Sequence, residues 1–193
     1  MPLEGEKVYL REQRREDIVK FREWRNNLET QGWSKTLPPD YTDEMYFKRH
    51  EQREFSYDPK QGLFTIIRKT NDETIGLISY TGLESRHSAT IGIILDKKYW
   101  GQGYGYDAQE VLLKFLFIEL GLQVVRLWTH AGNPGAVKLA QRSGFRISKR
   151  IREGVMKGGK FVDNLNMDLL REEYFERHSE LSNNIDVMIK DSC

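Results

Sequence analysis

The segment Trp100-Gly101-Gln102-Gly103-Tyr104-Gly105-Tyr106 places three glycines at alternate positions. Glycine lets a backbone turn sharply and pass close to a ligand. When such a loop opens a helix, the first turn offers N–H groups without intrahelical partners at the positive end of the helix dipole. Backbone of this kind holds phosphate. The segment reads as an anion cradle, with a structural turn as the plainer alternative.

The nature of the anion is a separate question. Gly103-x-Gly105-x-x-Ala108 formally satisfies the dinucleotide fingerprint. That fingerprint expects an acid about 20 residues further on, at the end of the next strand. Here that strand ends Leu127-Trp128-Thr129-His130, with no acid. The phosphate-loop pattern ending in Gly-Lys-Ser/Thr is absent. Four histidines are scattered and Cys193 is the one cysteine, so no metal-ligand spacing exists and no metal is expected.

Side chains able to carry a proton near this segment are few. His130 ends the strand that follows the glycine helix, and its ordinary pKa suits a general base. A strand-end histidine bonded to backbone is the competing reading. Glu84 and His87 lie about the turn Ser85-Arg86-His87 and have a solvated turn as their alternative.

Positioning these residues requires strands and helices in a definite order. Val8–Glu12 reads as a first strand and Arg14 to about Glu29 as a helix, with Ile18, Phe21 and Trp24 at helical spacing. Pro38-Pro39-Asp40 breaks the chain, and Thr42 caps a second helix with Met45 and Phe47 inward. Leu63–Arg68 and Thr74–Tyr80 form a hairpin about Lys69–Glu73, and Ala89–Leu95 is a buried strand. A helix over Tyr106 to about Leu120 is apolar on nearly every side and ends at Gly121. Val124–Thr129 follows as a strand, which makes a parallel crossover. A helix over Pro134–Arg142 and a hairpin of Phe145–Ile151 with Phe161–Leu170 complete the series. The order implies one α/β domain with a mixed sheet, over residues 1–178, with 179–193 as a loose tail.

Composition narrows the class. The 193 residues carry 30 Lys+Arg against 29 Asp+Glu, so no global charge calls for nucleic acid or an acidic membrane. Locally, eight basic residues and only Glu153 as acid lie between Lys138 and Lys160. Such a surface suits a polyanionic ligand, although a solvated strand and helix face explains each residue singly. A lone terminal cysteine forms no internal disulfide and fits a reducing compartment. The start Met1-Pro2-Leu3-Glu4 lacks an apolar signal core, and no apolar run approaches the roughly 18 residues that span a bilayer. Cytoplasmic location is the expectation.

Ile91-Gly92-Ile93 through Tyr99-Trp100-Gly101-Gln102-Gly103-Tyr104-Gly105, followed by Asn133-x-x-Ala136-x-x-Leu139-Ala140-x-x-x-Gly144-Phe145, resembles the GNAT N-acetyltransferases. The likeness is strongest to the branch of RimJ/RimL-type ribosomal-protein N-terminal and spermidine acetyltransferases, and runs from about Val8 to Tyr174. It implies a GNAT fold: a mostly antiparallel sheet with one splayed parallel strand pair and flanking helices. It implies acetyl-CoA as acetyl donor, with the pyrophosphate on the backbone of Gly101, Gln102, Gly103, Tyr104, Gly105 and Tyr106. Ile93 and Leu95 would hold the pantetheine arm by backbone hydrogen bonds, and Asn133 would bond the cofactor near it. The acceptor pocket would involve Trp24, Trp33 and Tyr41. The chain departs from the family at four places: Trp100 opens the loop in place of Arg or Gln, Ala140 stands at the position of a tyrosine acid, Ala136 at that of a serine, and Thr90 at that of a strand glutamate. The resemblance therefore transfers no catalytic residue.

Acetyl transfer to an amine asks for a neutral amine, a stabilised carbonyl oxygen and held reactants. An α-amine, with a pKa of about 7.7 to 8, is partly neutral at pH 7, whereas a lysine amine at about 10.4 is not. A fixed N–H in a dry site stabilises the oxygen by about 2.7 to 4 kcal/mol. Alignment contributes several more without a side chain. An N-acetyltransferase acting on a protein N-terminus, polyamine, amino sugar or other small amine is the first reading. A catalytically weak coenzyme A-binding module is the second, and RNA binding through Lys138–Lys160 is a distant third. A homodimer is left open.

Overall fold

Apolar residues give the central strands of the sheet buried faces, and helices pack against both of them. The computed structural model describes residues 3–27, 44–45, 47–48, 60–157 and 159–180. Its strands are β1 (Leu3–Glu4), β2 (Val8–Glu12), β3 (Gly62–Arg68), β4 (Glu73–Glu84), β5 (Ser88–Leu95), β6 (Val124–His130), β7 (Arg146–Lys157) and β8 (Lys160–Leu170). They form one sheet in the order β1-β2-β3-β4-β5-β6-β8-β7. Only β5 and β6 run parallel.

Helix α1 (Ile18–Asn26) covers one face, here called outer, where Phe21 and Trp24 pack on Leu77 with Leu63 and Ile94. Helix α2 (Tyr104–Lys114), continued by a π-helical turn over Phe115–Glu119, covers the inner face. Leu112, Leu113, Leu116 and Phe117 are completely enclosed there against Val8, Ile66, Ile78, Val125 and Leu169. Helix α3 (Pro134–Arg142) follows β6 with proline in its first turn, and α4 (Arg171–Arg177) closes the inner face. Tyr174 of α4 stacks on Phe117 at 4.8 Å.

A buried carboxylate seats α1. Asp17 accepts two hydrogen bonds from the Arg11 guanidinium, at 2.7 and 2.9 Å, and one from the Arg14 N–H at 2.8 Å. The Thr65 hydroxyl donates a further bond at 3.0 Å. Burial by itself pushes this carboxyl up, but the Arg11, Arg14 and Thr65 donors more than offset it, and its pKa lies below the usual carboxylate value. The cluster ties the helix entry to β2 and β3.

Several boundaries differ from those expected of the sequence. A 3-10 turn over Arg15–Asp17 precedes α1, which ends at Asn26 rather than near Glu29. Asparagine competes for backbone hydrogen bonds, and Asn27 has already left helical dihedrals. Helix α2 starts two residues before Tyr106 because Gly103, with φ +86°, makes the turn. Strand β7 runs past Ile151 to Lys157, since a bulge absorbs Arg152-Glu153-Gly154. Met45, expected inward, is exposed, whereas Phe47 is half-buried beneath the Arg15 guanidinium. Residues two apart on a helix cannot share a face. Pro38–Asp40, Thr42, Trp33 and Tyr41 lie outside the described residues. No helix among the described residues is long and apolar enough to cross a membrane.

Candidate active site

The parallel ladder between β5 and β6 is short. It consists of Ser88 with Val124, Ala89 with Val125 and Thr90 with Arg126. Beyond it Ile91–Leu95 stays paired with β4, and Leu127–His130 with β8. The two strands fork, and alternate backbone groups of Ile91–Leu95 face the gap. The Leu95 carbonyl already accepts a hydrogen bond from the Trp100 indole N–H at 2.8 Å. Trp100 thus fixes the end of β5 to the start of the glycine loop.

The loop lies at the open end of the fork. Gly101 and Gly103 hold φ values of +71° and +86°, which side chains disfavour. The first N–H to close a bond of α2 is that of Asp107, to the Gly103 carbonyl at 3.0 Å. The N–H groups of Tyr104, Gly105 and Tyr106 therefore have no helical partner. A Cβ on Gly105 would stand 3.6 Å from Leu139, 3.9 Å from Ile93 and 4.0 Å from Leu95. So the helix start, α3 and β5 meet at one place. Gln102 donates its side-chain amide to the Lys98 carbonyl at 2.7 Å. A cation stands on either side: Lys7 Nζ bonds the Gln102 carbonyl at 3.0 Å, and the Arg142 guanidinium lies 4.0 Å above the Tyr106 ring. Donors and cations together fit a pyrophosphate.

Asp107, an acid in the first turn, would repel an anion if it faced the cradle. Instead its carboxylate accepts the N–H groups of Glu6, Lys7 and Val8 at 3.0, 2.8 and 2.9 Å. This clasp holds the β1–β2 turn against α2 and places Lys7 at the loop. Neither residue was legible as part of the site. An acid in a first turn is a common partner of the helix dipole, and its donors lie about a hundred positions upstream.

Asn133 is the N-cap of α3, its side-chain oxygen accepting the Ala136 N–H at 3.1 Å. Its side-chain NH2 remains for a ligand. Ala140 is enclosed within α3. Thr90 sits in the last pair before the fork, on the outer face with Arg126.

Of the three proton-carrier candidates, Glu84 and His87 meet at one end of the ladder and His130 stands at the other. Glu84 pairs with Ser88 at the closed base of the fork, about 16 Å along β5 from Ile93 by strand rise. Its carboxyl is held below the usual range, first by the His87 ring at 2.8 Å and then by Ser88. His130 ends β6 at the open end, enclosed at 1% exposure and in register with Asn164. Trp24 belongs to the core under α1. On the outer face two positions past the last pair, β5 presents Gly92 and β6 presents Trp128, which is 51% exposed. Nothing in the sequence marked Trp128, because alternation along β6 fits either face being buried. No cluster of three or more His, Cys, Asp or Glu able to hold a metal occurs among the described residues.

Comparison with known proteins gives a consistent picture. The family profile described as acetyltransferase (GNAT) domain matches residues 7–146. An uncharacterized N-acetyltransferase of Bacillus licheniformis, p20, is 26% identical over 122 residues, covering 63% of this chain and 68% of the relative. The prophage-derived N-acetyltransferase YokL of Bacillus subtilis is 24% identical over 90% of this chain and 96% of its own. Among solved structures, spermidine N-acetyltransferase of Vibrio cholerae in complex with CoA and spermine superposes with a TM-score of 0.80 at 21% identity, covering 88% of this chain and 98% of that one. A Bacillus anthracis acetyltransferase of the GNAT family gives 0.75 at 19% identity, covering 89% and 99%.

Proposed function

This chain belongs to the GNAT acetyltransferase family, and from that premise we propose that it binds acetyl-CoA in the β5–β6 fork and transfers the acetyl group to a primary amine. The observation that carries the cofactor assignment is the meeting of unpaired helix N–H groups, the forked strand and Asn133 at one open end. In this reading the N–H groups of Gln102–Tyr106 and the Lys7 ammonium hold the pyrophosphate. Free backbone groups of Ile93 and the N–H of Leu95 align the pantetheine arm, and an N–H of β5 donates to the acetyl oxygen. Acetyl-CoA supplies the activated acyl group as a thioester. The amine nitrogen bonds the acyl carbon as the carbon–sulfur bond breaks, and the amine proton ends on the released thiol.

His130 is the candidate to take that proton, by its place at the end of β6. Glu84, held below its usual pKa at the far end of the ladder, is the weaker candidate. The alanine at position 140 favours one alternative, a coenzyme A-binding module of weak activity. Thermal melts separate these readings. A ligand at a hundred times its Kd stabilises the folded state by about 2.7 kcal/mol, which is roughly 5 to 10 °C in Tm for a chain of this size. Such a rise with acetyl-CoA and none with NAD is the expected result. The absence of a rise with acetyl-CoA would refute the assignment. A rise without thiol release on any amine would favour the binding module.

Asp107→Ala tests the clasp. It leaves three backbone donors without their acceptor, that of the enclosed Val8 included. The expected cost is about 2 kcal/mol of stability, with KM for acetyl-CoA raised about tenfold as Lys7 leaves the loop. An unchanged KM would show the clasp to be structural only.

A further inference from the structure

The hairpin at the end of the sheet outreaches its neighbour. Asn164 of β8 is in register with His130, the last residue of β6. The remaining pairs, from Val155 with Val162 to Lys157 with Lys160, therefore run past β6 beside the mouth of the fork. From Lys149 to Asp163, beside the end of β6 and past it, the hairpin carries Lys149, Arg150, Arg152, Lys157 and Lys160 against Glu153 and Asp163. Asp163 is already engaged, by the Arg150 guanidinium at 3.4 Å and the Glu153 N–H at 3.0 Å. A positive excess remains.

The outer face links this charge to the fork. Trp128, Asn166 and Lys149 stand in register across β6, β8 and β7. At the spacing of adjacent strands, Lys149 lies about 10 Å from β6, which is about three residues of extended chain. The Asn164 side-chain oxygen, one row nearer the mouth, is enclosed and accepts no hydrogen bond. Opposite Trp128, Gly92 leaves the β5 side without a side chain, and among the described residues the nearest neighbour to an added Cβ is Ser79 at 3.8 Å.

We infer that the acceptor is the α-amine of an extended acidic peptide, which enters the fork from the outer face past Trp128 and lays its carboxylates along the basic hairpin. This rests on the acetyltransferase reading of the fork. Two independent observations converge on it. The charge and its distance from the fork suit an extended anion and repel a polycation. The scarcity of acid–base side chains about the fork among the described residues suits an α-amine, which is partly neutral at pH 7, over the amines of a polyamine, which are not.

The test uses the full chain with saturating acetyl-CoA, read by thiol release. The acceptors are hexapeptides with free N-terminal serine and Glu, Gln or Lys at positions two to four, spermidine, and free glutamate. The Glu peptide should exceed the Lys peptide and spermidine in kcat/KM by about tenfold at low salt, and the gap should narrow as salt screens it. Lys149→Glu combined with Lys160→Glu should abolish or invert the preference while acetyl-CoA still raises Tm. Equal or better turnover of spermidine or the Lys peptide overturns the inference, as does a preference that survives the charge reversal. Free glutamate as good as the Glu peptide overturns the extended chain. Acetyl-CoA stabilisation with no turnover of any peptide overturns the acceptor but leaves the cofactor site standing. Loss of that stabilisation in the unaltered chain overturns both.

Discussion

Gly103→Val is expected to raise KM for acetyl-CoA on the order of a hundredfold while the fold persists. Gly103 sits at φ +86°, where any L-residue is strained by about 1 to 2 kcal/mol and a β-branched one more. A Cβ there would stand 3.2 Å from the Lys7 ammonium, so relief by local adjustment would displace the cation that braces the loop. Any shift of the turn re-aims the N–H groups of Tyr104–Tyr106. Losing two charge-assisted hydrogen bonds at about 1.5 kcal/mol each gives the hundredfold. Steady-state kinetics with acetyl-CoA varied, beside far-UV circular dichroism and the acetyl-CoA thermal shift, check this. Gly101→Ala is the reference: φ is +71° but the added methyl meets nothing within 4 Å, so strain acts alone and the loss should be smaller. Equal losses at both positions, or an unaltered KM in Gly103→Val, would contradict the cradle.

The second large effect concerns stability. Asp17→Asn keeps the shape of the side chain and removes the charge that holds Arg11, which is 16% exposed and among the described residues has only Glu16, at 4.0 Å, as another acidic partner. Removing one partner of an enclosed ion pair costs about 3 to 5 kcal/mol, which is roughly 10 °C or more in Tm for a chain of this size. The pH dependence follows from the direction of the Asp17 shift. Its folded pKa is depressed, so its contribution is complete above the unfolded value of about 3.9 and is lost as pH falls through the folded pKa. The unaltered protein should lose stability on acidification through that window, and Asp17→Asn should show a flatter acid limb. Two acid limbs of equal slope, or a variant that melts within a degree or two of the parent, would show that Asp17 is not the anchor of α1.

Local signals carried much of this architecture. Pro134–Arg142 shows proline at one end and Ser143-Gly144 at the other, and its limits coincide with those read from the sequence. Val8–Glu12 was equally plain from its alternation. Polar strand ends were not. Thr81-Gly82 in β4 and Arg152-Glu153-Gly154 in β7 look like loops, yet pairing with a neighbour carries the ladder past an irregularity in each. Side chains that act over long separations were least legible. Asp107 meets amides near residue 7, and Asp17 meets Thr65, through contacts that only the closed sheet creates. The glycine turn that opens α2 was readable because it is a matter of backbone conformation, fixed by glycine spacing over seven consecutive residues. Acceptor contacts have no such compact signature, and Trp128 emerges only once the register of β6 is known.

The position of the β7–β8 hairpin has a consequence for how such a protein diversifies. Its stretch from Lys149 to Lys160 is almost wholly exposed, and the end from Val155 on runs past the strand that flanks the fork. The glycine loop, β5 and α3 draw on other parts of the chain. Substitutions in this one short stretch of sequence can accumulate with little penalty to folding or to the loop. A lineage can thus exchange one partner for another by drift at the margin of the molecule, with its inherited chemistry intact.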